Sequence, residues 1–112
     1  MSDKLPNADK AVVESSKLTD YLLSLDHPEG KGKAKYFMQF GFGPPQADVM
    51  ESAMLNHAVT QPVVQVNRSD HGVKYVIKCS VLTPDKRNPC IFSIWIVDAG
   101  KTMPRFVTAY PN

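Results

Sequence analysis

The chain has 112 residues, 43% hydrophobic and 21% charged, enough for one domain with a single core and too few for two ordinary ones. A net charge of +2 and a pI near 8.6 permit contact with nucleic acid but fall short of the strongly basic footprint of a general binder. No run of about eighteen apolar residues exists to span a membrane, and the start MSDKLPNADK lacks the apolar centre of a signal peptide, so the cytoplasm is the expected location.

Residues 1–10 are polar and read as a flexible tail before a single α+β domain over 11–112. Ala11, Val12 and Val13 then make either a short strand or a docking segment. Ser15 or Ser16 caps an expected first helix to about Leu25, with Leu18, Tyr21, Leu22 and Leu25 on one apolar face. A turn over Asp26 to Gly30 leads into a second helix, about Lys31 to Phe40, with Ala34, Phe37 and Met38 inward and Gly41 as its cap. Pro44 and Pro45 restart the chain for a third helix, about Gln46 to Thr60, where Asp48 complements the dipole. Ala47, Met50, Met54, His57 and Ala58 form its apolar stripe, which puts His57 at the edge of the core.

From Pro62 the period changes to two. Strands are expected at about Val63 to Asn67, Val73 to Leu82, Pro89 to Val97 and Arg105 to Tyr110. Their short connections make a four-stranded antiparallel meander with three N-terminal helices packed on one face. If the second connection is centred on Asp85 and Lys86, Cys90 lies opposite Val81 and diagonal to Cys79, so the two cysteines read as buried free thiols. With three scattered histidines they give no zinc spacing, and no metal or cofactor is expected.

That pairing assigns Val64, Val66, Val73, Tyr75, Ile77, Cys79, Val81, Phe92, Ile94 and Ile96 to the face that receives the helices. The opposite face carries Val63, Gln65, Asn67, Lys74, Val76, Lys78, Ser93 and Trp95. An aromatic among lysines and amides there suits a chain-like ligand, while a solvated face or one covered by the N-terminal tail is equally ordinary. In the last strand, Thr108 and Tyr110 point one way on strict alternation and Arg105 the other. The three converge only if Pro104 introduces a bulge or Arg105 reaches around the strand edge.

The stretch DHPEGKGKAKYFMQFG, Asp26 to Gly41, concentrates chemistry. Gly30 and Gly32 allow close approach of backbone, and Lys31, Lys33 and Lys35 supply charge at an expected helix start, which attracts anions. His27 is the nearby group able to exchange protons near neutral pH. A Gly/Lys-rich solvated turn accounts for the same residues. The GKGK turn is not a P-loop, since Ala34 stands where Ser or Thr would follow Lys33. His71 reads as exposed turn chemistry.

KLTDYLLSLDHPEGKGKAKYFMQFGF near the start and MPRFVTAYPN at the end resemble an uncharacterised bacterial domain family found at the C-termini of polymorphic toxins and as small stand-alone proteins. The layout is also similar to the barnase, EndoU, colicin and RelE class of ribonucleases. This resemblance implies metal-independent cleavage of RNA through a cyclic phosphate, restrained by an immunity or antitoxin protein. It implies His27 as general acid or base, Lys33 and Arg105 as phosphate stabilisers, and Thr108 and Tyr110 as hydrogen-bonding or orienting groups. The competing expectation is a non-catalytic protein-interaction domain that uses the sheet face or an edge at Ala11 to Val13 or Val63 to Asn67.

Overall fold

A computed structural model describes residues 4–18 and 31–112. Four strands, β1 (Val63–Ser69), β2 (Gly72–Ser80), β3 (Cys90–Asp98) and β4 (Arg105–Pro111), pair antiparallel in the order β1-β2-β3-β4. The meander is therefore as expected, with β1 and β4 at its margins. Val12 adds one parallel bridge to Arg105, its N–H donating to the Pro104 carbonyl and its own carbonyl accepting from Phe106 N–H. Ala11 to Val13 thus docks along β4.

The expectation of three N-terminal helices is corrected. Among the described residues two helices exceed a single turn, Lys31–Met38 and Ala47–Thr60. The expected first helix is described only as one turn at Ser15–Lys17, and its continuation lies outside the described residues. Proline and glycine end the Lys31–Met38 helix early: the chain tightens into turns through Gly41, whose φ is +102°, and restarts in a 3-10 turn at Pro44–Gln46. The loose tail expected over 1–10 is corrected from Lys4 onward. Leu5 is buried in the core, Lys4 Nζ donates to the Thr60 carbonyl, and Ala8–Lys10 forms a 3-10 turn. One apolar side chain in a polar stretch is enough to dock it, since burying a leucine contributes about 1.5–3 kcal/mol.

The Ala47–Thr60 helix buries Met50, Ala53, Met54, His57 and Ala58. Opposite them stand Ile77, Ile91, Ser93, Trp95, Phe106 and Ala109, all buried. Phe37 and Phe42 pack edge to face with ring centroids 6.2 Å apart and close the same core, joined by Leu18 and Val13.

This core corrects the expected faces of β3. Cys90 pairs with Ser80 and Cys79 with Ile91, one residue away from the register that placed Cys90 opposite Val81. A one-residue slip exchanges the two faces of a strand. Ser93 and Trp95 consequently lie under the helix, while Phe92, Ile94 and Ile96 lie on the other face. The wide β2–β3 connection sets this register. Thr83 N–H donates to Asn88 Oδ1 (2.9 Å), Asn88 N–H returns to Thr83 Oγ1 (3.1 Å), and Lys86 and Asn88 both take positive φ. Val64 and Val66 of β1, expected beneath the helices, are 52% and 43% exposed because a bulge follows Val63 and the helix lies over β2 and β3.

Candidate functional site

The site develops on the sheet face turned away from the Ala47–Thr60 helix. Its residues follow from register: Lys78, Phe92 and Tyr110 form one cross-strand row, Gln65, Val76, Ile94 and Thr108 the next, and Asn67, Lys74, Ile96 and Arg105 a third. Asp98, opposite Gly72, continues the same face.

A bulge in β4 brings Arg105 into line. Ile94 pairs with Thr108 but Trp95 pairs with Phe106, so Val107 is the extra residue. Two residues opposing one shift the alternation, and Arg105 joins Thr108 and Tyr110 while Phe106 stays in the core. The bulge lies three residues beyond Pro104, the position the sequence suggests for it. Trp95 and Phe106 pack edge to face at 5.3 Å, which gives the bulge a reason: it lets Phe106 enter the core while Thr108 and Tyr110 keep the far side.

Lys33, from the Lys31–Met38 helix, donates from Nζ to Thr108 Oγ1 at 3.1 Å and so carries its charge to this face. Arg105 is held by Asp98 through two hydrogen bonds, Nε to Oδ2 at 2.7 Å and Nη2 to Oδ1 at 3.0 Å. Those bonds keep the Asp98 carboxyl below the ordinary range and raise Arg105 further. Both side chains are partly exposed, so the pair orients the guanidinium more than it stabilises the fold. Beside Arg105 lies a hollow of about 450 Å³ whose walls include Val12, Glu14, Lys101, Met103 and Pro104. Phe92 and Tyr110 stack with centroids 5.2 Å apart, and Lys78 Nζ sits 5.5 Å from the Phe92 centroid.

Four of the five expected site residues therefore lie on or reach one face: Lys33, Arg105, Thr108 and Tyr110. The fifth, His27, lies outside the described residues. Lys33, Lys74, Lys78 and Arg105 supply positive charge there, offset by the Asp98 carboxylate and by Glu14 in the wall of the neighbouring hollow, an arrangement that attracts an extended anion with aromatic surface. Sequence reasoning missed Asp98 and Phe92. Asp98 ends an apolar run just before a glycine turn and reads as turn chemistry, while Phe92 was assigned to the helix side by the register slip.

His57 belongs to the interior. It is fully buried, its Nε2 lies 2.8 Å from the Cys79 carbonyl and its Nδ1 2.8 Å from Ser93 Oγ. A carbonyl only accepts, so Nε2 carries the proton and Nδ1 accepts from the Ser93 hydroxyl. Ser93 Oγ in turn accepts from Trp95 Nε1 at 2.9 Å. Burial lowers the His57 pKa, consistent with a neutral ring in a fully satisfied chain of donors and acceptors.

No helix among the described residues is long and apolar enough to cross a membrane. No curated protein matches the sequence. Among solved structures, the fold is similar to a chain of a contact-dependent growth inhibition toxin and immunity protein complex from Klebsiella pneumoniae 342, with a TM-score of 0.71 and 15% identity. The match covers 90% of this chain and 99% of that one; at that identity the likeness shows the fold alone. The family model described as a domain of unknown function, DUF6883, matches residues 4–112, and the chain belongs to that family.

Proposed function

We propose that this domain is a toxin-like endoribonuclease that cuts RNA without a metal and is restrained by a neutralising protein. The observation that carries the reading is the β4 bulge, which aligns Arg105 with Thr108 and Tyr110 on the face that Lys33 reaches. In the reaction a ribose 2′-oxygen attacks the adjacent phosphorus, the P–O5′ bond breaks, and a 2′,3′-cyclic phosphate is left. Negative charge grows on the non-bridging oxygens, where preorganised cations have most effect. Arg105, held from one side by Asp98, and Lys33, held by Thr108, are the cations; the Phe92 and Tyr110 pair offers a surface for a base. His27 is the proton-transfer group of the reading. Similarity of fold to a chain from a toxin and immunity protein complex supports the restraining partner.

The test is cleavage of RNA by purified protein in excess chelator, with the ends of the products identified. Cyclic phosphate ends, lost in Arg105→Ala and His27→Ala variants that remain folded, support the reading. Intact RNA, or cleavage unchanged by both substitutions, refutes it.

A second reading has one observation in its favour. Margin strand β1 exposes Val64 and Val66, and an edge of that kind accepts an added strand from a partner. A non-catalytic interaction domain predicts that a partner protein binds wild type and Arg105→Ala equally, with no RNA cleavage by either.

A further inference from the structure

Cys79 departs from the alternation of its strand. Opposite Ile91, which is buried beneath the helix, it should point into the core; instead its φ is +135° and the residue is exposed. Such a φ is uncommon for a residue with a side chain and persists only where surroundings hold it. Here the Cys79 carbonyl accepts from the buried His57 Nε2, itself anchored through Ser93 to Trp95. The core thus fixes a backbone twist that turns a thiol outward. The other cysteine, Cys90, is paired with Ser80 and hence one step away on the neighbouring strand. On regular geometry two such diagonal residues point to opposite faces; the twist at Cys79 removes that obstacle. Both cysteines are free thiols.

We propose that Cys79 and Cys90 form a reversible dithiol–disulfide site at the ends of β2 and β3, oxidised by small-molecule disulfides, with Cys79 attacking and Cys90 resolving. The Cys79 thiolate attacks one sulfur of an external disulfide, forming a mixed disulfide and expelling one thiolate. Cys90, losing its proton to solvent, attacks the Cys79 sulfur, closes the internal disulfide and expels the second thiolate. The protein loses two electrons and two protons, and the external disulfide becomes two thiols. The order follows from environment. Cys79 is the exposed thiol and Cys90 the half-buried one; the neighbouring Cys90, Ser80 and Lys78 lower the Cys79 pKa, whereas burial raises that of Cys90. The bridge ties β2 to β3 beside the row of Lys78, Phe92 and Tyr110, whatever that face binds.

The experiment uses the full chain with oxidised glutathione as oxidant, followed by alkylation and intact mass. Wild type is expected to lose two hydrogens and both alkylatable thiols, with dithiothreitol restoring both. Cys90→Ser should stop at one stable glutathione adduct on Cys79, and Cys79→Ser should react at Cys90 at least tenfold more slowly than Cys90→Ser does at Cys79. Urea-unfolded protein should show no difference between the two variants. Wild type that retains both thiols, carries two separate adducts or forms only intermolecular disulfides overturns the site. Equal rates in the two folded variants overturn the assignment of Cys79 as the attacking group.

Discussion

Replacing His57 by alanine tests the reasoning about the interior. The ring is fully buried and satisfies two groups, the Ser93 hydroxyl and the Cys79 carbonyl. Each buried polar group left without a partner costs about 1–3 kcal/mol, and the cavity left by such a truncation costs about 2–5 kcal/mol. These contributions overlap, so the expected loss is about 4–6 kcal/mol, most of the stability of a domain that holds about 5–15 kcal/mol in all. His57→Gln, which keeps a donor and an acceptor, should lose roughly half as much. Urea unfolding at pH 7 reads both values from the midpoint at constant slope. The sign of the pH effect follows from the lowered pKa. Unfolded protein takes up the proton more readily than folded protein, so the contribution of neutral His57 is complete above about pH 6.5 and is lost as pH falls below it. Between about pH 6.5 and 5, wild type should therefore lose more stability than His57→Gln, by at most about 1.4 kcal/mol per pH unit. A loss under about 1 kcal/mol in the alanine variant, or identical pH profiles for wild type and His57→Gln, would refute the buried-neutral assignment.

Gly72 opens β2 at φ +140°, and a Cβ there would overlap the Val97 carbonyl oxygen of β3, so Gly72→Ala should destabilise by about 2 kcal/mol or more in urea unfolding. Deleting Val107 removes the bulge but leaves Arg105, Phe106 and Thr108 in regular alternation, so Phe106 stays in the core and Arg105 on the face. The urea midpoint, the near-ultraviolet dichroism of Trp95 and RNA cleavage should all be kept. Loss of the dichroism or of cleavage contradicts the assignment of Val107 as the extra residue. Lys33→Gln should reduce cleavage at least tenfold and leave the dichroism of the folded protein unchanged; retained cleavage removes Lys33 from the site.

Much of the sheet was legible in the sequence because strand periodicity and turn residues are local signals. The four strands, their antiparallel order and the buried stripe of Met50, Met54, His57 and Ala58 were all readable from spacing. The faces of β3 were not. Phe92-Ser-Ile-Trp-Ile96 offers large apolar residues to both sides, so burial alone does not choose between registers. Helix number was overestimated, and its expected first helix rested on a pattern that continues past the described residues. Within the site, the residue types at Lys33, Arg105, Thr108 and Tyr110 drew notice as chemistry. Their meeting on one face depended on Val107 being taken up as a bulge.

The amino-acid order by itself determined where strands begin and end, which helix face is apolar, and that cationic and aromatic groups gather at both ends of the chain. Tertiary structure alone decided which side of the sheet they occupy. Side chains alternate along a strand with a period of two, so one shift of pairing at the Thr83 and Asn88 connection and one extra residue at Val107 each invert a surface. Pairing is a contact between distant segments, and its energy is set by whether Trp95, Phe106 and the His57 network find places together.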